Sequence, residues 1–392
     1  MTRLRATLGL DRNTGAVAAA MFLQGMGEQM WRRFIPKYLE SLGAPITTIG
    51  LFGTAEDFLD GAYQYPGGWL ADRYGRRRAL EVVLVLAAAG YAIYLVAPRW
   101  PVLFAGLLFV SAWNSMGQPT LFAVVGDALP PDRRTLGFTV QAVLRRVPIA
   151  LAPTIGGIAI ATLGVRGGMR AGLVATLVVT VVTLTVVARV RLPVLADREP
   201  TGIRDVWAAF PTPLRWLLTS DVLIRTCDGL VDIFLVLYAT EIIGVSAARF
   251  GALIGVQAVT SMLSYLPAAR LANRTGRKPF VIATFLAFSL FPIAVVSSHS
   301  ATALTLAFVV GGLRELGEPA RKALIVSIVQ PTLRARSVGL YYLIRSVAIA
   351  PAAFVGGLLW RVRPSLPFLV AGAIGLAGTT VFTVTVRSHD AA

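Results

Sequence analysis

Apolar runs dominate the chain from end to end. Segments of roughly 20 or more residues with few charges recur along all of it, and each is long enough to cross a bilayer. The pattern predicts about twelve transmembrane helices, near 15–42, 46–71, 79–97, 101–128, 135–162, 166–188, 213–242, 246–272, 279–297, 302–329, 335–360 and 365–386. Some connections are short and turn-forming, such as Gly43-Ala44-Pro45 and Ala97-Pro98-Arg99-Trp100-Pro101. The longest polar stretch between spans, 191–211, divides the chain near its middle. The expected organisation is therefore an N-terminal six-helix bundle (1–190), a cytoplasmic linker (191–211) and a C-terminal six-helix bundle (212–392), all-α and integral to a membrane.

Composition strengthens this reading. Of 392 residues, 56% are hydrophobic and only 15% charged, against about 25% charged in soluble domains. A net charge of +17 would suggest nucleic acid in a soluble protein. Here the basic runs sit between apolar segments: Arg73 with Arg76, Arg77 and Arg78, then Arg133 and Arg134, then Arg274, Arg277 and Lys278, then Arg334 and Arg336. By the positive-inside rule these are cytoplasmic loops, both termini are cytoplasmic, and no nucleic-acid partner is expected. The short basic start, Met1 to Arg12, has no small-residue cleavage site, so no removable signal peptide is expected. Abundant arginine and alanine are associated with GC-rich bacterial genomes, which suggests the cytoplasmic (inner) membrane of a bacterium. A single cysteine, Cys227, excludes an internal disulfide, and it is more readily a small packing residue than a soft metal ligand. With His299 and His389 it forms no metal-ligand cluster, so neither metal nor organic cofactor is expected.

The two halves repeat in register. Gly117-Gln118-Pro119 returns as Gly317-Glu318-Pro319, Pro131 and Arg134 as Pro331 and Arg334, and Arg145 with Gly156-Gly157 as Arg345 with Gly356-Gly357. Leu70-Ala71-Asp72-Arg73-Tyr74-Gly75-Arg76-Arg77 returns as Leu271-Ala272-Asn273-Arg274-Thr275-Gly276-Arg277-Lys278. Phe34 and Tyr38 match Phe234 and Tyr238. Several matches in order at nearly constant offset argue duplication, and parallel repeats are a transporter architecture.

Between the second and third spans, Gly68-Trp69-Leu70-Ala71-Asp72-Arg73-Tyr74-Gly75-Arg76-Arg77 resembles the G-x-x-x-D-R-x-G-R-R signature of the major facilitator superfamily. With its second-half echo and the span count, the resemblance covers the whole chain. It implies two pseudo-symmetric six-helix bundles around a central cavity, alternating access, and a cytoplasmic gate built from Gly68, Asp72, Arg73, Gly75 and Arg76. Physically, a carboxylate at a helix end can meet a helix N-terminus or an arginine there. In span five, Ala152-Pro153-Thr154-Ile155-Gly156-Gly157 is similar to the end of the family's antiporter motif, with Ala152 in place of glycine. Tight packing through small residues explains the glycine pair equally well. The family's usual span-four arginine is replaced by Trp113-Asn114-Ser115-Met116-Gly117, whereas the echo Leu313-Arg314-Glu315-Leu316-Gly317 carries one.

Ionisable residues at membrane depth cost a few kcal/mol each by insertion scales and mark function by default. Candidates for a substrate cavity are Glu28 and Arg32 on span one, Arg145 on span five, Arg225, Asp228 and Asp232 on span seven, Glu315 and Glu318 on span ten, and Arg345 on span eleven. Glu28 and Arg32 share a helix face, as do Arg225, Asp228 and Asp232. Arg146, Arg314, Arg321 and Lys322 lie at similar depth. The repeat matches Glu28 to Asp228, Arg32 to Asp232, Gln118 to Glu318 and Arg145 to Arg345. Each half so places a carboxylate on its first span and an arginine on its fifth, which predicts pairing of Glu28 with Arg145 and of Asp228 with Arg345, directly or through substrate. A structural salt bridge inside each half is the competing reading. Glu56, Asp57 and Asp60 on span two face Gln257, Ala258 and Ser261 in the repeat, so the acidic cluster is unmatched. Like charges in a low dielectric favour a shared proton, which makes Asp57, Asp60 and then Glu28 the candidates for proton coupling. Trp31, Trp113, Tyr63 and Tyr65 are candidates to line the cavity or to face lipid.

The function expected is proton-coupled export of a small organic molecule by a monomeric secondary transporter, with H⁺ as coupling ion. One alternative is a proton-coupled importer of an anionic or zwitterionic solute held by Arg145 and Arg345. A non-transporting membrane receptor is the alternative from another class. No nucleophile–base or metal constellation points to an enzyme.

Overall fold

The structure, a computed structural model, describes residues 12–117, 134–189, 207–208, 210–328 and 334–386. Among the described residues every regular element is helical. They are α1 (Arg12–Trp31), α2 (Ile35–Ser41), α3 (Ile46–Tyr74), α4 (Arg76–Val96), α5 (Pro101–Ala112), α6 (Arg134–Val187), α7 (Thr212–Val231), α8 (Leu235–Leu237), α9 (Ala247–Thr275), α10 (Lys278–Val296), α11 (Ala301–Leu313), α12 (Glu318–Ile328), α13 (Arg334–Ile349), α14 (Ala352–Val362) and α15 (Leu366–Thr385). Every expected span is met by helix within its described residues, and the described ends fall within three residues of those read from hydropathy. Spans five and six share α6, which is broken at Gly164, where φ is +73°. Only glycine adopts that conformation without strain. Among the described residues, five segments are long and apolar enough to cross a membrane by length and hydropathy alone: Arg77–Val96, Arg146–Val187, Lys278–Val296, Ser337–Val362 and Leu366–Thr385.

The duplication is visible in the backbone. The first span of each repeat tightens into a 3₁₀ turn at equivalent positions, Arg32–Phe34 and Asp232–Phe234. The loop glycines Gly75 and Gly276 both take positive φ, +81° and +93°. That explains why glycine stands at this point in both copies of the basic motif. The side chains of Gly68, Asp72, Arg73 and Arg76 lie outside the described residues, as does the linker from 191 to 206.

The chain forms two compact units, each of which takes a piece of the other half of the sequence. Unit one comprises Met1–Ala44, Leu59–Arg198 and Ala247–Ala252; unit two comprises Pro45–Phe58, Glu199–Ser246 and Leu253–Ala392. In unit one, Trp31 is buried and meets Tyr91 and Tyr94 edge-on at 5.6 and 5.7 Å. Its Nε1 donates to Thr176 Oγ1 at 3.0 Å, and Tyr38 donates its hydroxyl to the Tyr94 carbonyl at 3.1 Å. In unit two, Leu217 and Ile224 of α7 pack with Phe285 of α10, Leu324 of α12, Tyr341 of α13 and Phe382 of α15.

Both glycine pairs serve close helix packing, as the small-residue reading requires. In unit one, a Cβ on Gly156 would overlap the Met30 carbonyl, one on Gly157 the Ala247 carbonyl, and one on Gly251 the Pro153 carbonyl. In unit two the same contacts recur in register: Gly356 against Leu230, Gly357 against Ile46, and Gly50 against Ala353.

Candidate functional site

Unit two holds a charged cluster built by three helices. α7 supplies Asp221, Arg225 and Asp228, which its period sets on one face. α12 opens at Glu318, where a carboxylate complements the exposed N–H groups of the first turn. Arg321 and Lys322 follow one turn later on the same side. Gly317, just before, lets the chain approach α10 so closely that a Cβ would overlap the Phe280 carbonyl. From α13 come Tyr341, Tyr342 and Arg345.

Arg321 is the centre of the cluster. It grips Glu318 with two donors, Nε to Oε2 at 2.9 Å and Nη2 to Oε1 at 2.6 Å. Its remaining arm donates to Asp221 Oδ2 at 2.6 Å. The Arg321 and Asp221 side chains are each 1% exposed. Tyr341 also donates to Asp221 Oδ2, at 3.1 Å, and Arg345 reaches the same oxygen at 3.4 Å. Arg225 lies 3.4 Å from Glu318 and 3.9 Å from Asp221, and Lys322 lies 3.7 Å from Glu318. The guanidinium of Arg225 sits over the Phe288 ring and that of Arg345 over the Tyr342 ring, at 4.8 and 4.7 Å. Such stacking holds a cation while leaving its edge donors open.

These groups surround a cavity of about 510 Å³, lined by Arg225, Glu318, Arg321, Lys322, Ile325, Val338, Tyr342 and Arg345. Its volume falls within the roughly 300–1,000 Å³ of small-molecule sites.

Three of the expected cavity residues, Arg225, Glu318 and Arg345, are therefore brought together. The direct pair of Asp228 with Arg345 does not form. Asp228 instead pairs with Arg314, which caps α11 and lies over Phe291 and Phe288, and Arg345 turns to Asp221. Seven residues separate Asp221 from Asp228 on one helix face, so α13 meets the carboxylate two turns earlier than expected. Asp228, Asp232 and Glu315 do not line this cavity; Asp232 is exposed at the 3₁₀ turn and Glu315 is half-buried. Asp221 and Tyr341 were not singled out from the sequence as site residues. The available signal for Asp221 was its position one turn before Arg225.

In unit one, Glu28 is buried and lies 3.6 Å from Arg32, one turn on. Nearby on α1, Gln24 donates to the Tyr91 hydroxyl at 3.3 Å and accepts from Thr180 at 3.1 Å. The Arg145 side chain lies outside the described residues, and with it the expected pair to Glu28. Asp60 accepts a 2.6 Å hydrogen bond from Ser115, and Asp57 is half-buried in the part of α3 that belongs to unit two. Of the aromatic candidates, Trp31 and Trp113 are buried, and Tyr63 donates to the Leu108 carbonyl at 2.8 Å. Tyr65 lies outside the described side chains. Cys227 is buried and its thiol donates to the Phe288 carbonyl at 3.3 Å, which fits a packing role. Among the described residues no group of three His, Cys, Asp or Glu could hold a metal.

The family model of the Major Facilitator Superfamily matches residues 17–226 and again 217–391. The chain belongs to the major facilitator superfamily. A superfamily relative, an uncharacterised MFS-type transporter of Methanocaldococcus jannaschii, is 20% identical over 380 residues, covering 94% of this chain and 93% of its own. A chloramphenicol efflux pump of Mycobacterium tuberculosis is 23% identical, covering 82% of this chain and 78% of its own. The solved structure of the nucleoside transporter NupG shares the superfamily fold, with a TM-score of 0.81 at 13% identity, covering 96% of this chain and all of that one. The protein is thus a multi-pass membrane transporter of the superfamily, with a small molecule as its substrate.

Proposed function

We propose that this chain is a secondary active transporter that exports a small organic solute in exchange for protons, by alternating access. The observation that carries the reading is the cavity of unit two. Its polar lining is almost wholly ionisable, at a depth where each charge is costly unless it pairs or serves transport. Export is supported by the chloramphenicol efflux pump, which matches this chain over most of both lengths. Proton coupling is assigned to Asp57 and Asp60, with Glu28 next, because the acidic cluster of the second span has no counterpart in the second half of the chain. The protein is placed in a bacterial inner membrane as a monomer, with both termini cytoplasmic and H⁺ as coupling ion.

The test is flux in proteoliposomes of the purified full chain, with labelled chloramphenicol as first probe and then solutes found by thermal-shift screening. An imposed pH gradient should accelerate solute movement against the proton flow. The Asp57→Asn, Asp60→Asn double variant should retain binding and lose the acceleration. If that variant kept the full response to the gradient, the coupling assignment would fail. Binding of solutes without any flux would instead identify a receptor.

A further inference from the structure

The carboxylate that lines the unit-two cavity is held by short contacts, while two of its arginines are held only by long ones. Glu318 is held by both arms of Arg321 and approached by Arg225 and Lys322. Asp221 Oδ2 takes hydrogen bonds from Arg321, Tyr341 and Arg345. Asp221 Oδ1 is buried without a hydrogen-bond partner and faces Arg225 Nε at 3.9 Å, but Asp221 does not line the cavity, so Glu318 is its one lining carboxylate among the described residues. Arg225 and Arg345 each make one hydrogen bond, both long at 3.4 Å, out of the five donors that a guanidinium carries. The Nε of each is buried without an acceptor.

Charge balance points the same way. Arg225, Arg321, Lys322 and Arg345 gather around Asp221 and Glu318. Lys322 is more than half exposed to solvent. The three largely buried guanidiniums against two carboxylates leave one positive charge in excess, and uncompensated charge away from water is strongly unfavourable. The rest of the lining is different in kind: Ile325, Val338 and Tyr342.

We infer that this cavity takes an organic anion: a carboxylate or sulfonate seated on Arg225 and Arg345, with an apolar or aromatic body against Ile325, Val338 and Tyr342. The bound acid group supplies short-range acceptors to both arginines and offsets the excess charge. The Arg321 triad with Asp221 and Glu318 is the scaffold that holds the two receiving arginines in place. This rests on reading the cavity as the solute site of the transporter, and it narrows the substrate to one charge class.

The test uses three probes of one shape on the purified full chain in detergent free of anionic lipid: benzoate, neutral benzamide and cationic benzylamine. Thermal shift and calorimetric titration should show binding of benzoate, with at least tenfold weaker binding of the other two. Arg345→Gln should weaken benzoate at least tenfold. Should that variant fold poorly, Val338→Asp adds a carboxylate to the lining that competes for the arginines, and it should abolish benzoate binding in the folded fraction. Equal binding of benzoate and benzamide, or benzoate affinity unchanged in both variants, would overturn the proposal. Phosphatidylglycerol carries the same charge as a lipid headgroup. Its displacement of benzoate in mixed micelles would show anion recognition at the site, whereas saturation by phosphatidylglycerol with no benzoate binding would overturn the soluble-solute assignment. Flux of chloramphenicol alongside absent benzoate binding would sink this inference and leave the export reading standing. Benzoate binding without flux of benzenesulfonate or any other solute would do the reverse.

Discussion

Asp221 of α7 and Arg321 of α12 meet at 2.6 Å, and each side chain is 1% exposed. Burying two charges costs several kcal/mol per ion, so the pair is stable only as a pair. Asp221→Leu is therefore expected to destabilise the protein by about 3–5 kcal/mol, because Arg321, Tyr341 and Arg345 lose the acceptor they share. Adding Arg321→Met to the same chain should restore more than half of the loss. Thermal unfolding of the three variants in detergent checks this, and a double variant no better than the single would contradict it.

Arg321→Lys is not a conservative change at this position. An ammonium cannot reproduce the two-pronged contact with Glu318 and still reach Asp221. A loss of about 1–3 kcal/mol is expected, the scale of a charged hydrogen bond left unmade. Because Arg225 and Arg345 share those carboxylates, solute binding should weaken along with stability. The melting temperature and a solute titration on one preparation measure both.

The glycine pairs separate backbone contact from propensity. Gly356→Ala places a methyl group on the Leu230 carbonyl, and folded yield is expected to collapse. Gly339→Ala, in α13, meets nothing within 4 Å and should be neutral or stabilising by about 0.5–1 kcal/mol, the helix preference of alanine over glycine. Size-exclusion yield after membrane extraction distinguishes the two outcomes.

Thr176→Val removes the acceptor of the Trp31 indole N–H in the core of unit one. The buried donor is left without a partner, which costs about 1–3 kcal/mol. Thr176→Ser should be much milder, since the hydroxyl remains. Melting temperatures of the two variants decide whether the hydroxyl or the packed methyl matters more.

The spans were legible because a bilayer demands about 20 apolar residues per helix, a requirement that run length reports directly. The duplication was legible because equivalent positions kept the same residue types: Gly156-Gly157 and Gly356-Gly357 make matching backbone contacts. Partner choice at the site was harder. Asp221 and Asp228 lie on one face of α7, and helical period alone cannot say which of them an arginine on α13 will meet. The repeat drew attention to Asp228 through Glu28, whereas the residue matching Asp221 at that offset is Met21, so the register hid the more deeply buried acid. Trp31 was ambiguous for another reason: an aromatic ring suits lipid, cavity and core alike, and only its hydrogen bond to Thr176 and its edge contacts with Tyr91 and Tyr94 distinguish them.

The division of the chain into units has a consequence for biogenesis. Unit one includes Ala247–Ala252, so it is incomplete when the ribosome has passed residue 198. The carbonyls of Pro153 and Ala247 come against Gly251 and Gly157 only after that later stretch has been made and inserted. At about 5–20 residues per second the wait is roughly 3–11 s. During it, the small-residue surface of α6 faces lipid or the insertion machinery, and a nascent chain stalled in that interval is the form most exposed to quality-control proteolysis.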